Sequence, residues 1–526
     1  LLLLALFQLS MTLVNTAGAA EVASGSPESA CAALAGSDFS MVMDAPTQVT
    51  ASQFVKSEHG GAGHCEVRGY VATHVGFELA LPAGSWNGKF LHIGCGGFCG
   101  GINIRACDPV LARGYACIAT DLGHRSTGLD GKWAYNNPEA VIDFAYRATH
   151  VATLAGKAIT EAYFGRLPAH SYFLGCSTGG RQGMVEAERF PWDFDGIVSG
   201  APVISETGDA MALVWNVVAT LGPDGKSILT PADARLVHAA AIAHCDQDDG
   251  VKDGLIGDPR RCRFDPTELA CRDGHTSGCL SEAQALAVKK IYGGPVNSRG
   301  TPLYTGGALP GSELNWIGNY IGSDGGRPTY AAMMSDFFAF MAFVPAAGPG
   351  WKLSDFNWDR DPQRLGMMES LYSGSNPDLR KFKAAGGKLI IYQGWADQSV
   401  LPLNIVDYYE TAAKTMGGRA PTEEFLRLYM IPGMNHCIGG EGAYSIDYLS
   451  YLEAWVERSE APDVMQAVHP RSESASGLWW GVTAPAPAEV AFSRPVYPYP
   501  RVPQYRGKGD SADAASYAPA EPKPSR

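Results

Sequence analysis

The sequence is poor in charge and short of long apolar runs. Charged residues make up 18% of its 526 positions against 46% hydrophobic, and 41 basic side chains face 54 acidic ones. A disordered chain would carry more charge and fewer aromatics, so this composition is that of a globular protein. The formal net charge of −13 repels phosphate backbones and anionic headgroups, which argues against nucleic acid and membranes as partners. After the first 20 residues no run of 18 apolar residues occurs, so no membrane span is expected. Zinc-finger chemistry is missing as well, because there is no CxxC pair and no His at matching spacing.

What is present begins with an apolar stretch from Leu1 to Phe7, followed by small residues up to Ala20. This reads as an export leader cleaved near Ala20, and with neither Met nor a basic segment ahead of Leu1 the sequence is expected to begin inside it. The mature protein is then secreted or periplasmic. Its twelve cysteines, an even number, favour disulfides over thiols in such a compartment.

Short apolar runs alternate with helical patterns at 90–93, 115–120, 171–174 and 196–199, with a long helix over 140–164. The rhythm returns at 388–392, a helix at 403–416, and 425–430. Alternation of this kind implies an α/β fold, a mostly parallel sheet covered by helices on both faces. Between 205 and 375 the rhythm fails, and that stretch reads as an inserted lid. The expected organisation is a leader at 1–20, a core at 21–204, the lid at 205–375, the rest of the core at 376–505, and a poorly ordered polar tail at 506–526.

Gly175-Cys176-Ser177-Thr178-Gly179 fits GxSxG, a weak pattern by itself in a chain with 62 glycines. Its setting strengthens it: an apolar strand ends at Leu174 and a helical pattern starts near Gly180, the strand–elbow–helix arrangement of α/β-hydrolases. A serine hydroxyl needs a His base, and the His needs a carboxylate to fix its tautomer. Asp397 follows one apolar strand and His436 the next, in the chain order of this fold. Alone, Asp397 reads equally well as a helix cap and His436 as a loop residue; together and in order they form a triad with Ser177. Cys176 precedes the nucleophile and Cys437 follows the base, so the triad itself predicts a bridge between them.

Gly-Cys-Ser-Thr-Gly-Gly-Arg-Gln, Gly-Trp-Ala-Asp and Pro-Gly-Met-Asn-His-Cys resemble the tannase and feruloyl esterase family from about Cys31 to about Gly509. The resemblance implies an α/β-hydrolase core with a lid, and the pairs Cys31–Cys65, Cys245–Cys262 and Cys271–Cys279 beside Cys176–Cys437. It also implies an oxyanion hole from the N–H groups of Thr178 and Gly97, the latter in the loop Gly94–Gly101. A phosphate-cradling role for that loop fails for want of a following Lys-Ser/Thr. The acidic stretch Cys245–Ile256 would repel itself without a hard cation, calcium being the natural one. It is no EF-hand, since Gly257 stands where Glu belongs. The family match assigns Asp246, Asp249 and Asp253 as side-chain ligands, with the carbonyls of Val251 and Leu255; no organic cofactor is expected.

Two departures matter. No Arg lies between Pro328 and Leu353, where a relative that hydrolyses mono(2-hydroxyethyl) terephthalate would hold its substrate carboxylate. Cys95, Cys99, Cys107 and Cys117 have no family counterpart, Cys99–Cys107 being one option. The leading expectation is an esterase acting through an acyl-enzyme on small feruloyl or galloyl esters, with Trp316, Tyr320, Phe337, Phe338 and Phe340 as candidates to hold the ring. A terephthalate-monoester hydrolase and a non-catalytic adhesion module are the alternatives, and the oligomeric state stays open.

Overall fold

The computed structural model describes residues 26–56, 63–272, 277–323, 326–472 and 481–522. The expected leader at 1–20 lies outside these. A nine-stranded sheet forms the centre, in the order β1-β2-β3-β5-β4-β6-β7-β8-β9. Three antiparallel strands, β1 (Thr47–Val55), β2 (His64–Val71) and β3 (Val75–Pro82), lead into β5 (Ala116–Thr120). From there the sheet is parallel through β4 (Lys89–Ile93), β6 (His170–Cys176), β7 (Gly196–Gly200), β8 (Lys388–Gly394) and β9 (Leu426–Ile431).

Both faces of the parallel part are covered, which is why its strands read as unbroken apolar runs. Phe173, Ile197, Leu389 and Ile391 join one core, on the side of helices Ala148–Phe164 and Thr178–Arg189. Tyr172, Val198, Ile390 and Tyr392 point the other way, into a second core with Leu449, Leu452 and Trp455 of helix Tyr448–Arg458. The helix expected over 140–164 is present, with a π-turn at Asp143–Arg147 between Pro138–Ile142 and Ala148–Phe164.

β7 and β8 are direct neighbours although residues 201–387 separate them. That segment carries helices Glu206–Thr220, Pro231–Cys245, Glu282–Gly293 and Thr329–Asp336. Thr230 starts the second of these with a reciprocal capping box to Asp233 and Pro231 in the first turn, a strong local start signal. The five aromatics considered for ring binding are all buried in the core of this segment, each 7% exposed or less. Phe337 also stacks on Phe98 of the glycine-rich loop, with ring centroids 6.0 Å apart.

The tail differs from expectation. β12 (Val502–Tyr505) and β13 (Tyr517–Ala520) pair antiparallel, so residues up to 522 are ordered in place of a loose tail. Tyr517 is buried under Arg494, whose guanidinium lies 4.7 Å from its ring centroid, and this contact outweighs the Ala/Pro-rich composition. Arg494 belongs to β11 (Val490–Val496), which pairs with β10 (Met465–Pro470).

All twelve cysteines are paired. Cys31–Cys65, Cys176–Cys437, Cys245–Cys262 and Cys271–Cys279 match the sequence reading. The remaining four form Cys95–Cys99 and Cys107–Cys117, which overturns the Cys99–Cys107 option. Cys107 and Cys117 lie in the core beneath the sheet with Val110 and Tyr115, whereas Cys99 packs on the opposite side, so the two cannot meet.

Candidate active site

Ser177, Asp397 and His436 each follow the carboxyl end of a parallel strand, β6, β8 and β9 respectively, where open sheets of this type build their sites. Ser177 has φ 63° and ψ −126°, a strained backbone position outside the regions that side chains favour. Its N–H is tied to the Gly200 carbonyl at 3.0 Å and its carbonyl starts the helix through Arg181 N–H. Gly175 is required by this tight elbow, because a Cβ there would stand 2.4 Å from the Gly179 carbonyl oxygen.

His436 Nδ1 donates to Asp397 Oδ2 at 2.9 Å. Because a carboxylate only accepts, this partner places the proton on Nδ1 and leaves Nε2 free to take a proton. Asp397 is fully buried, and its remaining acceptor sites are filled by the N–H groups of Ser399 and Val400 and the Gln393 amide, at 2.8, 2.9 and 2.9 Å. The carboxylate therefore cannot rotate away from the imidazole. Cys176–Cys437, with Cα atoms 5.8 Å apart, brings the residues beside Ser177 and His436 together. The hydrogen bond found at the His436 ring is the one to Asp397; the bond between a serine Oγ and its base commonly tightens only in the complex with substrate.

Gly97 and Thr178 are also adjacent, since the Thr178 hydroxyl donates to the Gly97 carbonyl at 2.7 Å. Among the described residues neither of their N–H groups donates to another protein atom. Thr178 is the first residue of its helix, where the N–H has no partner within the helix. Gly97 has φ 59°, and a Cβ on it would meet the Gly128 carbonyl oxygen at 2.3 Å, so only glycine fits. Cys95–Cys99 closes a five-residue ring around Gly97, and Gln182 donates to the Cys95 carbonyl at 3.3 Å. A cavity of about 450 Å³ opens along this loop, lined by Ile102, Asn103, Thr120, Ser126 and Thr127 among others.

Arg181, one turn after Ser177, is fully buried and escaped the sequence reading. Its guanidinium donates to the carbonyls of Phe144, Ala145 and Tyr372 and pairs with Glu206 at 3.1 Å. The helix that follows Ser177 is thereby fastened both to the π-turn and to the insertion.

At the acidic loop Asp246 Oδ1 accepts from the N–H groups of Asp253 and Gly254, Asp249 from Val251, and Asp253 from Leu255. Burial, with Asp253 and Asp246 adding repulsion, pushes the Asp249 carboxyl up to about 7. Arg494 pairs with Asp253 at 2.6 Å, and among the described residues the other two carboxylates have no ion pair of their own. This all-oxygen donor set fits a hard divalent cation. Drawing the three carboxylates onto one ion requires some inward movement, as they do not all lie within 4.8 Å of one another.

The sheet, elbow and strand-end residues define an α/β-hydrolase fold. The chain belongs to the tannase and feruloyl esterase family, whose model matches residues 61–520. It is 34% identical over 528 aligned positions to the mono(2-hydroxyethyl) terephthalate hydrolase of Piscinibacter sakaiensis, covering 87% of this chain and 85% of that one. To a probable feruloyl esterase of Arthroderma benhamiae it is 33% identical over 454 positions, covering 84% and 81%. The crystal structure of feruloyl esterase B from Aspergillus oryzae superimposes with a TM-score of 0.82 at 26% identity, over 94% of this chain and all of that one. No helix among the described residues is long and apolar enough to cross a membrane.

Proposed function

We propose that the protein cleaves esters of hydroxylated aromatic acids, feruloyl or galloyl, through an acyl-enzyme on Ser177. The observation that carries this reading is the His436–Asp397 hydrogen bond, held beside the elbow by Cys176–Cys437. His436 Nε2 takes the serine proton as Oγ attacks the carbonyl carbon, and returns it to the leaving alcohol. Water then repeats the cycle on the acyl-enzyme. The oxyanion is met by the N–H groups of Gly97 and Thr178. Six disulfides in the described residues favour an oxidising compartment, outside the cell or in a periplasm.

Residues 205–375 serve in this reading as the lid over the site. Asp246, Asp249 and Asp253, with the Val251 and Leu255 carbonyls, would hold calcium, which supplies charge neutralisation and rigidity to the insertion. The terephthalate-monoester reading is supported by the Piscinibacter sakaiensis relative and opposed by the lack of Arg between Pro328 and Leu353.

The test is a burst of product from a p-nitrophenyl ester, followed by turnover on methyl ferulate, methyl gallate, methyl p-coumarate and the terephthalate monoester in parallel. Ser177→Ala is expected to abolish the burst and lower turnover by several orders of magnitude while the protein stays folded. Near-native turnover of that variant would refute the assignment.

A further inference from the structure

Asn315 lies in the insertion, in the short 3-10 turn Glu313–Trp316, far in sequence from all three triad residues. Its amide nitrogen donates to the Ala396 carbonyl at 2.9 Å and to Asn435 Oδ1 at 2.6 Å. Ala396 immediately precedes Asp397, and Asn435 immediately precedes His436. One NH₂ group therefore spans the two loops that carry the carboxylate and the imidazole.

The chemistry of the acceptors fixes which way this amide points. A backbone carbonyl can only accept, so the nitrogen of Asn315 must face Ala396, and its two hydrogens serve the two loops one each. No carboxylate or hydroxyl of similar size supplies two donors from one atom. The loops also touch directly, as Ala396 N–H donates to the Met434 carbonyl at 3.0 Å, and the His436 loop is closed on itself by Asn435 N–H donating to the Gly439 carbonyl at 3.0 Å.

The turn that presents Asn315 is itself immobilised. Glu313 is fully buried and takes bonds from His238, the Tyr292 hydroxyl and the Gly311 N–H. Trp316 is buried and donates to Ser312 Oγ at 3.1 Å. Asn319 closes the arrangement by donating to the Asn315 carbonyl at 2.9 Å. A turn anchored by the buried Glu313 and Trp316 directs the half-buried Asn315 at the residues before both Asp397 and His436.

We propose that Asn315 is a positioning residue for acyl transfer: it holds the Asp397 and His436 loops in register and so makes the geometry of the base depend on how the insertion is seated. This rests on the triad assigned above. A misplacement of about 1 Å costs on the order of 100-fold in rate, so loosening one clip between the loops has a catalytic effect larger than its effect on stability.

Asn315→Leu keeps the volume and removes both donors. The expected result is a kcat lowered about 10- to 100-fold, with KM within about twofold of the parent. In addition, the low-field proton resonance of His436 Nδ1–H, recorded in the Ser177→Ala background, is expected to broaden or disappear on adding Asn315→Leu. Asn315→Ala, which removes the donors without adding a branched side chain, is read identically if the leucine variant does not fold. An unchanged kcat or an unchanged low-field resonance, with Ser177→Ala inactive, overturns the positioning role and leaves the triad standing. A Ser177→Ala protein that turns over like the parent overturns both.

Discussion

Cys176 and Cys437, 261 residues apart in sequence, are joined by a disulfide between the residue before Ser177 and the residue after His436. On the chain-entropy model such a loop stabilises by about 4–5 kcal/mol, an upper figure because other bridges already restrict the unfolded chain. Replacing both cysteines by Ala is expected to depress kcat more than KM, under conditions where the variant is still folded. Peptide mapping of the non-reduced protein checks the bridge directly, and a free thiol at either position in active enzyme contradicts it.

Gly97→Ala tests the oxyanion role proposed for the glycine-rich loop. The added methyl meets the Gly128 carbonyl oxygen and the backbone sits at positive φ, so the loop must move. Loss of one oxyanion donor costs about 100- to 1,000-fold in kcat. Steady-state kinetics with a p-nitrophenyl ester are expected to show a fall within that range and little change in KM; an unaffected kcat places the second donor elsewhere.

Calcium is expected to support stability and not bond breaking, since the acidic loop lies in the insertion. A ligand bound only by the folded state stabilises by mass action, so chelation will lower Tm and added calcium will restore it. Asp249→Asn is expected to lower the calcium-induced rise in Tm. Immediate loss of turnover on chelation with Tm unchanged contradicts this role.

His238 links the insertion to the histidine loop, contacting Glu313 at 3.0 Å and Glu441 at 2.8 Å. Burial alone would lower its pKa, but the hydrogen bonds to Glu313 and Glu441 outweigh it and raise it to about 9. With the folded value above the unfolded value of about 6.5, the stabilisation is complete below about pH 6.5 and is lost as pH rises through about 9. Allowing for solvent around the exposed Glu441, about 1–2 kcal/mol is involved. Thermal melts between pH 6.5 and 9.5 are expected to fall more steeply for the parent than for His238→Gln; parallel slopes dismiss the link.

The parallel strands were legible because both their faces are buried, so 388–392 and 425–430 appear as plain apolar runs. The strands β1 to β3 are less legible, although Phe77, Leu79 and Leu81 alternate with Glu78 and Ala80, because antiparallel strands at a sheet margin dilute the apolar signal with residues such as Gln48 and Gln53. The strand-end placement of the candidate residues Ser177, Asp397 and His436 is legible from their order and the strands before them, which are local properties. Asn315 was not, because an asparagine in a turn is locally ordinary and its meaning comes from two loops remote in sequence. Cys95–Cys99 was missed for a related reason: four cysteines close in sequence allow several pairings, and only the sheet, by separating Cys107 and Cys117 from the loop, chooses between them.

The insertion between β7 and β8 has a consequence for biosynthesis. When β7 leaves the ribosome its outer edge has no partner, and it must wait for residues 201–387 before β8 arrives. At about 5–20 residues per second that interval is roughly 10–40 s, with a row of unpaired N–H and carbonyl groups available to other chains. The Ser177 elbow sits on that unfinished sheet, and Cys437, the disulfide partner of its Cys176, arrives later still. Folding that starts only after the whole chain has been delivered across a membrane avoids this exposure, so expression routes that keep the chain unfolded until export are expected to yield more correctly bridged protein than folding during synthesis in a reducing cytosol.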